Sequence, residues 1–440
     1  MLVLAIACNA PSVDDAAPAL TPSLQVDAAI GNVATIRWTT DSPADARVEV
    51  GVDTTYGTTV EGTTSVDGRT HEVVLAGLAA GEPWHWRAVS DTADGTATSA
   101  DAVFESEAPP VDLPRLNTVG DANDGYVLAA MMSTNPSVIL ADRRGRPVWW
   151  YVASPGAMIT QARLSRDGTS VLMLEQPAAM DNDRSFLVRT VLQTGVTTRL
   201  QIPFAHHDFV ELPSGEVAVL VVESREVDGH IVAGDVLLEV SLDVQRPPDL
   251  VWSTWDHVPL DTIDPSLEFY PDLVDWTHAN SVAFDGERYW VSLHNLGAVH
   301  VFAPKSPPLV IGGPDSDVMV TDGFAGQHAV LPTEGGFFVF DNREPSRDDV
   351  YSRLVRYALE GAPGTATPVW EWTPESDLYT PTFGNVAPKG DGTFAAWGGA
   401  GRAFELDADG AVVWQADLDV GTAFGYVHHV PAVLGATGAP

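Results

Sequence analysis

A turn glycine followed by a short, mostly apolar strand occurs six times along the chain, at Gly125, Gly168, Gly215, Gly286, Gly336 and Gly392. The strands after them read YVLAAMM, TSVLMLEQ, EVAVLVV, ERYWVSLHN, FFVFDN and TFAAW. Successive glycines stand 43 to 71 residues apart, the size of a four-stranded propeller blade. Three of the repeats carry a histidine eight residues before the glycine: His207, His278 and His328, from 12 histidines in all. Equivalent positions in neighbouring repeats converge in space, so the shared register marks a candidate site.

The repeat predicts an all-β fold. Apolar stretches of four to eight residues alternate with Gly, Pro, Asp and Asn, and no long segment has helical spacing. Residues 115–440 read as a six-bladed β-propeller, with a two-sheet all-β solenoid as the competing arrangement. The longest interval contains 256–275, read as an inserted loop over one face. Residues 23–106 read as a small β-sandwich similar to a fibronectin type III domain, with Trp38 and Trp84 as core aromatics. EAPPVDLP, 107–114, is a Pro-rich linker between the two.

The net charge of −37 sets the chain against nucleic acid and anionic lipid surfaces. Residues 1–22 read as a signal remnant and linker. The run LVLAIAC ends on Cys8, the one cysteine, which resembles a bacterial lipoprotein signal with Cys8 as the lipidated residue. No basic residue precedes that run, and it is shorter than usual. The expectation is an exported protein, held at the outer membrane or cell surface by a lipid anchor or free in the periplasm, touching membrane only through that anchor.

In a propeller the inner strands line a central channel, so His207, His278 and His328 are expected near one mouth of it. The surrounding motifs are AHHDFVELPSG, DWTHANSVAFDG with Asn280, and GQHAVLPTEGG followed by FFVFDNREPSRDDVYSR, which carries Asn342, Arg343, Arg347 and Arg353. Three chemistries suit such a set. Imidazoles and arginine bind a tetrahedral oxyanion. One neutral imidazole acts as nucleophile while another protonates a leaving oxygen. Three histidines hold a zinc-type metal, although no tight ligand spacing supports a metal here. The plain alternative is that each histidine caps a turn or pairs with the next blade.

The ordered motifs HHDF-x-x-LP-x-G, DW-x-H-x-NS and QH-x-x-x-LP…DN…SR, with a last blade ending in EL-x-x-x-G-x-VVW, resemble the bacterial arylsulfotransferase family across residues 115–440. The resemblance implies an exported propeller that moves a sulfuryl group from a phenolic sulfate ester to a phenol. It implies a ping-pong route through a sulfated histidine, with no nucleotide sulfate donor and no cofactor. It places His207, His278, His328 and Arg347 in the catalytic set, and Arg343, Arg353, Asn280, Asn342 and Arg402 around the anion. One departure stands out. Where the family's nucleophilic histidine follows a Gly-Gly turn in the last blade, AAWGGAGRAFEL carries Arg402. Arginine stays protonated and cannot be the nucleophile. Another histidine then takes the role, or the protein is a non-catalytic anchored propeller that binds an anion, a glycan or a partner protein.

Overall fold

The computed structural model describes residues 20–434 except 27–29, 31, 121–123, 178–182, 271, 344–350, 362–363, 375–377 and 420–421, and the side chains of 268–270. Strand dominates, and the helical turns are short, as in Thr254–His257. No described helix is long and apolar enough to cross a membrane.

Strands between Ser23 and Glu105 form two facing sheets. Alternate residues point inward, so Ile36, Trp38, Val48, Val50, Trp84 and Trp86 close into one core. This sandwich is docked on the larger domain. Ile30, Val33 and Ala76 pack in one cluster with Tyr126 and Trp149. The buried Asn32 donates its side-chain amide to the Leu78 carbonyl on one side and the Val148 carbonyl on the other.

From Leu116 to Val430, six sheets follow one another among the described residues. Their innermost strands are Ala423–Val430, Ala157–Leu164, Ala205–Glu211, Ala279–Phe284, His328–Thr333 and Asn385–Lys389. Each abuts the next, and the last abuts the first, so the sheets form a closed ring, a propeller. The strands that follow the turn glycines are the second strands of the sheets, fully buried between neighbours; Ser170–Pro177 is an example. That double-sided burial is why they read as continuous apolar runs rather than alternating ones.

The ring is fastened twice. Ala423–Val430, the last strand among the described residues, becomes the innermost strand of the first sheet by pairing with Tyr126–Met132. Leu116–Gly120, the first strand of the domain, becomes an outer strand of the last sheet by pairing with Val412–Leu418. The units are therefore offset from the simple succession suggested by the repeat. Gly425 sits at this junction. A Cβ there would lie 2.2 Å from the Thr160 carbonyl oxygen of the second sheet, so the closing strand needs glycine to fit.

The insertion after the third sheet is more than a loop. Leu273–Asp275 pairs in parallel with Ile231–Ala233, and Glu268–Tyr270 pairs with Leu273–Asp275. The insertion thus widens the third sheet, whose hairpin Val217–Val227 and His230–Val240 is unusually long.

Candidate functional site

The inner strands of sheets three, four and five all break register where the histidines occur. The shifts fall between Ala205 and Phe209, between Ala279 and Ser281, and between His328 and Leu331. A left-handed residue accompanies each: His207 at φ 56°, His278 at φ 47° and Ala329 at φ 48°. Each costs about 1–2 kcal/mol in a residue with a side chain. Such bulges re-aim side chains, and strain of this kind collects at functional sites.

The outcome is a continuous row of five imidazoles. Ring centroids are 5.0 Å apart for His206 and His207, 4.8 Å for His207 and His278, 5.1 Å for His278 and His294, and 5.5 Å for His294 and His328. Phe383 caps the row, 6.5 Å from His207 and 6.2 Å from His328. His207, His278 and His328 are thus brought together. His206 and His294 join them without having been anticipated. Strict strand alternation would turn His206 away from its neighbour, but the bulge cancels that alternation. His294 begins the short turn His294–Leu296, capped by left-handed Gly297. Gly398–Ala400, capped by Gly401, is the same turn in the sixth sheet. The glycine three residues on is the sequence signal that could have found His294.

The environments of the imidazoles differ. Burial, then the neighbouring imidazoles, holds His207 well below the ordinary histidine value. Burial also depresses His278, but the Asp275 carboxylate, 2.5 Å from its Nδ1, outweighs this and raises it overall. The pairing in turn keeps Asp275 ionised below the usual carboxylate range despite its burial. His294 is pushed down to about 4 by burial and by His278. His328 is held well below its usual value, mainly by burial. Its Nδ1 lies 2.9 Å from Asn342 Oδ1, and the Asn342 amide donates to the carbonyls of Thr380 and Phe383. The Asn342 oxygen is therefore the acceptor, and His328 carries its proton on Nδ1.

A cavity of ≈ 90 Å³ opens beside His207 and His278. His206, Asp235 and Asp275 lie on its polar side, while Phe204 just before the inner strand, Val222 from the long hairpin and Leu273 from the insertion supply apolar wall. Two larger and more open clefts of ≈ 640 Å³ lie elsewhere on the ring and contain none of the five histidines. Among the described residues no group of histidines, cysteines and carboxylates is arranged to hold a metal ion.

The remaining candidates have other surroundings. Asn280 donates to the Gln327 carbonyl and ties the fourth sheet to the fifth. Arg353 is buried and spends its nitrogens on Asp341, Asp322 and Glu371. Those bonds leave it holding three carboxylates together rather than facing the histidines. Arg402 donates to Asp417 at 2.5 Å and reaches none of the imidazoles. Arg343 follows Asn342 in a left-handed conformation, φ 61°, with its guanidinium over the Tyr351 ring at 4.4 Å. Phe209 and Trp276, each two residues from a site histidine, are packed in the core. Arg347 and Cys8 lie outside the described residues.

No family model and no curated protein matches the chain. Among solved structures it is similar to apo AztD from Citrobacter koseri, with 11% identity, a TM-score of 0.29, and coverage of 93% of this chain and 97% of that one. It is also similar to regucalcin, a calcium-binding protein from Agrobacterium tumefaciens str. C58, with 12% identity, a TM-score of 0.31, and coverage of 70% and 89%. The FN1–FN3 domains of chicken CNTN1 align at 12% identity and a TM-score of 0.14, over 66% of this chain and 97% of theirs. At these scores no activity passes from any of them to this protein.

Proposed function

We propose that the protein transfers a sulfuryl group from an aryl sulfate ester to a phenol, with His207 as nucleophile and His278 as acid and base. One observation carries this reading: two imidazoles in contact beside a cavity have their proton affinities driven in opposite directions. Titratable neighbours separated in this way divide acid and base roles between them. His207 is neutral, so it keeps a lone pair for attack. His278, whose proton affinity Asp275 raises, is the one suited to give a proton.

The step balances without a cofactor. A His207 nitrogen attacks sulfur, the N–S bond forms, and the S–O bond to the aryl group breaks with its electron pair on oxygen. His278 protonates that oxygen. The incoming phenol then returns its proton to His278, its oxygen attacks sulfur, and the N–S bond breaks. The motif resemblance supplies the substrate class, and Phe204, Val222 and Leu273 give the cavity an apolar wall for a ring. Export and lipidation at Cys8 belong to the same proposal.

A second reading, a non-catalytic binding propeller, is favoured by the commitments of Arg353 and Arg402 and by the two carboxylates at the cavity. Release of nitrophenolate from 4-nitrophenyl sulfate, with and without a phenol acceptor, separates the two. Acceptor-dependent release that is abolished in His207→Ala supports transfer. A folded protein that leaves the ester intact with every phenol tried across pH 5–9 would refute it.

A further inference from the structure

We infer that His206 and Asp235 form a positioning pair that fixes the proton of His207 on Nδ1 and leaves Nε2 as the reactive nitrogen. The inference depends on the preceding reading only for naming His207 as the reacting group. Its physical content is a tautomer.

The geometry assigns the protons in order. Asp235 Oδ2 accepts from the Thr277 hydroxyl and from the Ala279 backbone N–H. Its other oxygen, Oδ1, lies 3.0 Å from His206 Nε2. An ionised carboxylate only accepts, so the nearby His206 nitrogen is the one that carries hydrogen. The contact is close, but the ring is not aligned for a hydrogen bond, which leaves His206 Nε2 unsatisfied in a buried position. A small ring rotation completes the bond. With its hydrogen on Nε2, His206 presents a lone pair at Nδ1. That atom is 2.7 Å from His207 Nδ1. The hydrogen between the two rings therefore belongs to His207, and the His207 lone pair is on Nε2. Among the described residues, His207 Nε2 takes no hydrogen bond.

The same arrangement serves the reacting state. When Nε2 gains a substituent, the imidazole becomes cationic. Its Nδ1–H then donates to His206, whose own Nε2–H faces the Asp235 carboxylate. The charge is met through two rings with no heavy-atom movement beyond that rotation of His206, which is the division of labour seen wherever a carboxylate orients a catalytic imidazole. The backbone of His207 is held as firmly as its ring. Gln176 Oε1 accepts its N–H at 3.0 Å, and Thr160 Oγ1 donates to its carbonyl at 2.9 Å. Both side chains are buried, and they fix a residue whose φ of 56° would otherwise relax.

The test reads the tautomer directly. In protein labelled with 15N-histidine, long-range 1H–15N spectra at neutral pH should show His207 with a protonated Nδ1 and a bare Nε2. His206→Leu removes the acceptor and should release His207 to the opposite tautomer or to a mixture. His206→Asn places an amide oxygen near the old Nδ1 position and should retain the original tautomer. Asp235→Asn should loosen it. In the transfer assay His206→Leu should lower kcat by roughly 10²-fold or more with little change in KM, and His206→Asn should recover part of the loss. Thermal unfolding confirms that each variant is folded. Finding Nε2–H on His207 in the unaltered protein, or an unchanged His207 tautomer in folded His206→Leu, overturns the inference. The predicted tautomers in a protein that transfers no sulfuryl group would uphold it and discard the substrate reading instead.

Discussion

Replacing Asp275 by Asn should lower the proton affinity of His278. Asp275 sits 2.5 Å from His278 Nδ1, and the His278 side chain is 18% exposed. Two unit charges about 4 Å apart at an effective dielectric of about 20 attract by about 4 kcal/mol. At about 1.4 kcal/mol per pKa unit this corresponds to roughly 3 units, the top of the 1–3 unit range for such pairs. Asp235 adds a smaller attraction that survives the substitution. Burial would then be opposed only weakly, so the His278 value should fall, by about 1–3 units for the loss of such a neighbour. Histidine ring resonances followed by NMR across pH read this without any substrate. A fall of less than about half a unit in folded Asp275→Asn would refute the reasoning, because the carboxylate would then not be the source of the raised value.

Stability tracks the same pair with a definite sign. His278 is raised in the folded state, so its contribution is complete below the unfolded histidine value and fades as pH rises through the folded one. Asp275 is lowered, so its contribution is present above the unfolded carboxylate value and fades as pH falls through the folded one. The two overlap between roughly pH 4 and pH 6.5. Urea unfolding should therefore show a larger loss for Asp275→Asn at about pH 5.5 than at about pH 9.

Arg353→Met should destabilise the protein by about 3 kcal/mol in urea unfolding, because it removes the close ion-pair partner of the fully buried Asp341 and leaves it the Ala325 and Arg343 backbone N–H groups and the Arg343 guanidinium at 3.9 Å. Gly425→Ala should lower the unfolding temperature, since the new methyl meets a backbone oxygen that cannot move aside; an overpacked core typically loses about 1–3 kcal/mol. Asn32→Ala should cost about 1–3 kcal/mol by leaving the Leu78 and Val148 carbonyls without their donor. Limited proteolysis should then cut between sandwich and ring sooner than in the unaltered protein.

The fold was readable because its repeat is punctuated. Turn glycines precede strands buried on both faces, and such strands cannot disguise their apolar runs. The histidine register was readable because the inner strands of neighbouring sheets share one bulge. What the bulge does could not be read: it suspends strand alternation, so His206 turns toward His207 instead of away. His294 was missed because it enters from a turn rather than from the register. Arg353 and Arg402 were misleading for an electrostatic reason. In a chain with net charge −37, a guanidinium finds carboxylates of its own, and Arg353 finds three. The offset of the ring was hidden because both fastening strands pair with segments at the opposite end of the chain.

That double fastening also sets the order in which the molecule can be built. Sheets two to five pair only segments near one another in sequence, whereas Tyr126 waits for Val430 and Leu116 for Leu418. Loop-closure entropy makes such distant pairings slow. On the ribosome, the sheets that carry His206, His207, His278 and His294 emerge and pair while the ring is still an open arc with two unsatisfied edges. Closure is then a late event made by Ala423–Val430, which follows the other inner strands in the chain. Pulsed hydrogen exchange during refolding should show amides of sheets three and four protected before those of 116–120 and 423–430. The exposed edges of the arc, rather than the site, are where a folding chain of this kind is vulnerable to aggregation.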